Sequence, residues 1–227
     1  MSSSLIERTS TTDSSSSWPS PRSDRATIIA CGALAQPVAT IVARRGWAAD
    51  VHPLRPLLHN HPDRIAAEVE AAVDAVSADG PVVVGYADCG TYGALDELCE
   101  RRGWSRLPGL HCYDVYGGAD RLRTMMERQP GTYILTDFLV RAFDRLVVAE
   151  LGLDRYPELR DDYFGHYTRV VWLAQRPDDE LRRLAARAAD ILGLPLTELD
   201  VGDHRLEATL AGALPPSVTC GAAIRHS

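Results

Sequence analysis

Cys31, Cys89 and Cys112 lie far apart in the chain, yet each closes an apolar run and opens a glycine-bearing turn: "IIACGAL", "VVVGYADCGTYGAL" and "GLHCYDVYGG". The amino terminus of a helix stabilises a thiolate, so sulfurs at such turns deprotonate more readily than sulfurs inside a strand. Thiolates are the ligands soft metals select. Three protein sulfurs leave a fourth coordination position open, the arrangement of a catalytic rather than a closed structural site. The expected cofactor is a 4Fe-4S cluster with one substrate-binding iron, with zinc as the alternative. Taken singly, each cysteine reads as a small buried hydrophobe; the argument rests on three in one kind of place. Of the five cysteines, Cys99 falls at apolar helical spacing and reads as core, and Cys220 falls in a glycine-rich tail.

Other residue types offer chemistry beside the thiols. "LHNHP" carries His59 and His61 ahead of a helix near Pro62; Asn60 is expected to cap that helix, which leaves His59 as the functional candidate. "YILTDFLVRAFDR" brings Thr136 and Asp137 to a strand end, with Arg141 one helical turn on. Asp137 reads either as a helix cap or, with His59, as a catalytic group, while Arg141 and Thr136 would bind a substrate carboxylate or phosphate. His111 abuts Cys112, and on a strand the two would face opposite ways, which favours Cys112 for the site. His166, just before another strand, belongs at the opposite end from a site on the strands' carboxyl rim. GxGxxG, GxxxxGK[ST] and GxSxG patterns are absent, so the common nucleotide loops and the serine nucleophile elbow find no support.

The elements that position these residues alternate. "ATIIACG", "ADVHPL", "PVVVGYADCG", "LPGLHCYDVYGG", "GTYILTDF" and "TRVVWLAQ" read as strands, each followed by a segment of helical period; "LTELDVGDH" reads as a loop or weak edge strand. Such alternation implies an α/β fold, a largely parallel open sheet with helices on both faces in three Rossmann-like layers. The carboxyl ends of its strands would form one rim, bringing the three cysteines together. Residues 1–25 read as a disordered Ser/Thr-rich tail, 26–213 as a single domain and 214–227 as a flexible tail.

With 45% hydrophobic and 24% charged residues the composition is that of a globular protein. A net charge of −7 argues against nucleic acid and anionic membranes as partners, and no apolar run approaches the roughly 20 residues of a membrane span. The tail lacks a secretory apolar region, so a cytoplasmic setting with reduced cysteines is expected.

The segments "IIACGAL", "PLLHNHPDRI", "VVVGYADCGTYGAL", "GLHCYDVYGG", "GTYILTDFLVRAFDRLV" and "FGHYTRVVWLAQ" together resemble the bacterial and archaeal family catalogued as domain of unknown function 1638, from Ala26 to about Leu210. The three cysteines and the "LTDF" segment match that family's pattern. Ala87 and Asp88 depart from it, since the family tends to read Tyr-Gly before its second cysteine; Asp88 sets a carboxylate beside the thiol. The resemblance implies a link to corrinoid-dependent methyltransferase systems of one-carbon metabolism. In design, though not in sequence, the three-cysteine arrangement is similar to quinolinate synthase and thiouracil desulfidase. The expected function is a metalloenzyme with a three-cysteine centre acting on a small polar substrate by lyase or desulfuration chemistry. The alternative is a non-catalytic metal- or corrinoid-linked accessory protein.

Overall fold

A computed structural model describes residues 24–220, which leaves most of the expected N-terminal tail outside the described residues. The α/β reading holds, and every strand pairing is parallel. The strands divide into two sheets. The first has the order β2-β1-β3-β4, with β1 Ala26–Ala30, β2 Ala49–Pro53, β3 Val82–Gly85 and β4 Ser105–Arg106; the second has the order β5-β6-β7, with β5 Thr132–Thr136, β6 Arg169–Ala174 and β7 Leu196–Asp200. Since β4 has only two residues, the first sheet ends there.

The helices follow from local chemistry. α1 (Ala35–Arg45) buries Val38, Ile41 and Val42, sets Arg44 and Arg45 in its last turn against the helix dipole, and stops at Gly46 in the left-handed region. α2 (Pro62–Ala75) has proline at its start, where the missing N–H costs nothing. α3 (Ala94–Arg102), α4 (Asp114–Gly117) and α5 (Ala119–Arg128) complete the first half. α6 (Asp137–Phe143) runs on into a π-helical turn, Asp144–Ala149, and α7 (Leu159–Phe164) follows. α8 (Asp179–Leu192) is capped by the Asp178 carboxylate, which accepts from the Leu181 N–H at 2.7 Å. α9 (His204–Ala213) and α10 (Pro216–Cys220) close the described chain.

β3 is buried along its whole length and β6 nearly so, the pattern of central strands covered on both faces. Alternation along the second sheet sends Ile134, Val171, Leu173 and Leu199 into the same core as β1 and β3, while Leu135, Val170, Trp172 and Ala174 face a second core under α6 and α8. The expected flexible tail from residue 214 is corrected in part. Leu214 and Val218, four apart, are buried in the first core, and the Val218 carbonyl accepts from the Ala48 N–H. Among the described residues no helix is long and apolar enough to cross a membrane.

In the first sheet the chain passes from β1 outward to β2 and then returns to place β3 on the other side of β1. The reversal leaves a crevice between the carboxyl ends of β1 and β3, the place where open α/β sheets bind ligands.

Candidate functional site

Cys31 and Cys89 border that crevice. Cys31 follows β1 directly; its N–H donates to the Gly85 carbonyl at 3.0 Å and its own carbonyl accepts from Leu34 and Ala35, the first turn leading into α1. Gly32 is required next. A side chain there would bring its Cβ to 2.7 Å from the Leu54 carbonyl oxygen and from the Pro56 backbone. The Cys31 thiol is 2% exposed, and burial pushes its pKa up to about 11, opposed by the amides of Ala33 and Leu34.

Cys89 sits in a loop whose backbone is bent for it. Cys89 and Tyr92 have φ near +51°, which a side-chain-bearing residue rarely adopts, and Gly90 and Gly93 share the left-handed region. The Asp88 carboxylate holds this loop by accepting from Gly90 N (3.1 Å), Thr91 Oγ1 (2.8 Å), Tyr92 N (3.3 Å) and Gly93 N (3.1 Å). Burial works to raise the Asp88 carboxyl, but the donors on Gly93, Thr91, Tyr92 and Gly90 outweigh it and keep it below the usual carboxylate range. Asp88 is therefore a scaffold for the thiol loop and not a free acid beside it.

Cys112 is not at a strand end, because the strand expected around it shrinks to Ser105–Arg106. It lies in the turn before α4, so the alternation argument that set His111 against Cys112 has no strand to act on. The Asp114 carboxylate shapes this turn by accepting from Leu110 N (2.9 Å) and His111 N (3.0 Å). Two backbone bonds, Asp88 N to Gly109 O and Cys89 N to Leu110 O, staple the loop of Cys89 to that of Cys112.

The three thiols act on one another. Hydrogen bonding from Cys112, against the opposing effect of burial, holds Cys89 below the ordinary thiol range. The same bond, with burial behind it, drives Cys112 well above that range, and Cys31 adds to the effect. Tyr86, between β3 and this loop, feels all three; burial first, then Cys31, raises its phenol strongly. Its hydroxyl is the one buried side-chain nitrogen or oxygen among the described residues without a hydrogen-bond partner, and it lies near enough to the Cys31 thiol for each to perturb the other. Adjacency is not coordination, however. Among the described residues no three His, Cys, Asp or Glu side chains are grouped to hold a metal ion.

The other candidates are drawn into the scaffold. The Asp137 carboxylate accepts from Trp172 Nε1 (2.9 Å), Gln175 N (3.1 Å) and Arg176 N (2.8 Å), tying α6 to the end of β6, where backbone donors have outrun the sheet. These three bonds give Asp137 a structural role at the wall of the cleft it lines. Thr136, rather than Asp137, caps α6, its hydroxyl accepting from Leu139 N at 3.4 Å. His59 is exposed, with Nδ1 donating to the Pro56 carbonyl of its own turn, and no side chain caps α2, so Asn60 does not play its expected part. His166 precedes β6 and packs on Tyr167 at 4.3 Å, at the end of the strand away from the rim, as expected. Cys99 is buried, Cys220 exposed.

Arg141 does reach a cleft. About 620 Å³ opens between α1 and α6, lined by Ala33 and Gln36 on one side, Arg141 and Arg145 on the other, with Tyr116 and Gln175 among its further lining residues. A larger depression of about 710 Å³, between α5 and strands β6 and β7, holds no thiol and lies away from the crevice. Sequence reasoning missed Tyr86, Tyr116 and Arg145. Tyr86 alone had a signal, a polar aromatic ending an otherwise apolar central strand.

A family model described as protein of unknown function (DUF1638) matches residues 54–210. That span is well over half of the chain, which belongs to this family; it takes in Cys89, Cys112 and Asp137 and leaves Cys31 outside. Comparison with the curated proteins finds no match, and neither does comparison with the solved structures.

Proposed function

For a member of a family whose description carries no activity, we propose that Cys31, Cys89 and Cys112 together hold a soft-metal centre, a 4Fe-4S cluster before zinc, serving lyase or desulfuration chemistry on a small polar substrate. The observation that carries the reading is the mutual perturbation of three thiols around one unpartnered hydroxyl, Tyr86. The donor set fits, since thiols are soft and the Ala33 and Leu34 amides face Cys31. A single zinc ion, with Zn–S bonds of about 2.3 Å, would crowd the sulfurs around one atom. The thiols are not grouped that way. We favour the cluster because three thiolates would leave one of its irons open to substrate. Bound there, the group would supply Lewis acidity at its open position. The chain supplies the rest: Asp88 and Asp114 fix the two loops, and β1 and α1 fix Cys31. All 24 cationic side chains are arginines, so this chain has no lysine with which to form a Schiff base. A reducing cytoplasm suits three unpaired thiols.

The test is iron, zinc and acid-labile sulfide analysis with an absorption spectrum on protein purified and reconstituted without oxygen, alongside Cys31→Ala, Cys89→Ala and Cys112→Ala. Iron with matching sulfide, lost in each variant, is expected. Zinc lost in the same way would replace the cluster, and no metal in the wild type would end the reading. A second reading, Cys89 as a metal-free nucleophile, draws on its lowered pKa and strained backbone. It requires that Cys89→Ala alone abolish activity in metal-free protein.

A further inference from the structure

The cleft between α1 and α6 carries charges of both signs, but they are not equally committed. Asp137 is occupied by three N–H donors, Asp203 by Arg44 and Arg176, and Asp144 by Arg187. Arg141 makes only one long contact, 3.7 Å to Asp178, and among the described residues no carboxylate pairs with Arg145. In a chain of net charge −7, the uncommitted charge of this cleft is therefore positive. Arg141 and Arg145 stand four positions apart where α6 widens into its π-turn, so both guanidinium groups reach the same opening.

A second observation is independent of the arginines. Tyr116 on α4 lines the cleft while only 4% exposed, and no hydrogen bond engages its hydroxyl among the described residues. That hydroxyl is not among the fully buried atoms, so it is open to the cleft and to a ligand or water that would complete it. Its neighbours span the two features, with Cys112 and Cys31 behind it and Asp137 and Asp203 toward the cleft. Ala33, two residues from Cys31, lines the same opening.

We propose that this cleft binds a small monocarboxylate, its charge held by Arg145 and Arg141 and a hydroxyl or carbonyl oxygen on its body bonded to Tyr116, which orients its far end toward the thiols. Only the role of that far end rests on the metal-centre reading; the binding itself does not. A carboxylate matches the planar guanidinium fork. The carboxylates of Asp137, Asp144 and Asp203 already line the walls and disfavour a dianionic phosphate. The volume suits a metabolite rather than a polymer.

The experiment is calorimetric titration of the metal-free full chain with 3-hydroxybutyrate, butyrate, butyramide and inorganic phosphate, on wild type, Arg145→Gln and Tyr116→Phe, with a melting curve for each protein. Metal-free protein keeps the result separate from the fate of the metal reading. Wild type is expected to bind 3-hydroxybutyrate at least tenfold better than butyramide, as loss of a charge-assisted bond dictates. Arg145→Gln, an exposed position, should melt like wild type and bind roughly tenfold more weakly. Tyr116→Phe should erase the preference for 3-hydroxybutyrate over butyrate while leaving butyrate binding in place. The proposal is overturned if no carboxylate binds, if phosphate binds better, or if Arg145→Gln binds as wild type does.

Discussion

Replacing Asp88 by asparagine tests whether one carboxylate holds the thiol loop in shape. Each Asp88 oxygen accepts two bonds, one pair from Thr91 and Gly93 and the other from Gly90 and Tyr92. Asparagine keeps one oxygen and turns an NH₂ toward the other pair, so two bonds to a charged acceptor are lost. Such bonds contribute about 1.5–3 kcal/mol each. Asp88 is only half-buried and water will satisfy part of what is lost, which reduces the expected cost to about 2 kcal/mol. In a chain of this size that is a fall in Tm of about 4–8 °C. The loop also holds Cys89 and Tyr92 at positive φ, each at a cost of order 1 kcal/mol, so a weakened cradle should let both relax and carry the Cys89 sulfur away from Cys112. Urea unfolding and hydrogen exchange at residues 90–93 read the two effects. The pH dependence gives an internal check. Because the Asp88 carboxyl is held below its unfolded value, its stabilisation is complete above that value and is lost as pH falls through the folded pKa. The gap between wild type and Asp88→Asn should therefore stay constant from neutral pH to about 5 and close below about 4. An unchanged unfolding midpoint, or a gap that persists in acid, would refute the cradle.

The remaining predictions use the same logic of committed and uncommitted groups. Gly32→Ala should destabilise by about 1–3 kcal/mol and impair cluster loading, because the 2.7 Å neighbours of its Cβ are backbone atoms that must shift with Cys31; denaturation and iron content measure it. Tyr86→Phe should leave metal-free protein as stable as wild type or about 1 kcal/mol more so, since the hydroxyl removed is buried without a partner; a loss of that size in a melting curve would mean it is bonded after all. Asp137→Ala should cost about 3 kcal/mol and shift tryptophan emission by freeing the Trp172 indole N–H, whereas a catalytic Asp137 would leave the unfolding curve in place.

Much of this fold was legible because it is written in local periodicity: apolar runs such as "VVVG", a capping Asp178, and glycines at Gly46 and Gly193 that end helices in the left-handed region. The split into two sheets was not, since it turns on how short the pairing beside β3 becomes, a tertiary result. The same shortening moved Cys112 off a strand. It nevertheless stayed beside Cys89, because Asp114 and two backbone bonds gather its loop where a strand end would have lain. The scaffold bonds of the acids and hydroxyls were not legible for a common reason. Asp137 and Thr136 have residue types suited to catalysis or binding, but backbone N–H groups left over at the ends of β6 and α6 recruit them, and no sequence pattern announces which strand will present those donors.

That accounting also separates scaffold from site. Nearly every carboxylate around the rim is engaged: Asp88 and Asp114 by the thiol loops, Asp137 by β6, and Asp203 by two arginines. The groups left without partners are of a different kind. Among the described residues around the rim they are the Tyr86 hydroxyl among the thiols, the Tyr116 hydroxyl in the cleft wall and the Arg145 guanidinium at the cleft. A rim that engages its acids and leaves donors unpaired from the α6 side of the cleft toward the carboxyl ends of β1 and β3 is arranged to receive an acceptor. The ligand should therefore bring its own negative charge and oxygen atoms. Neutral or cationic analogues that gain nothing from Arg145 and Tyr116 should bind no better to wild type than to Arg145→Gln.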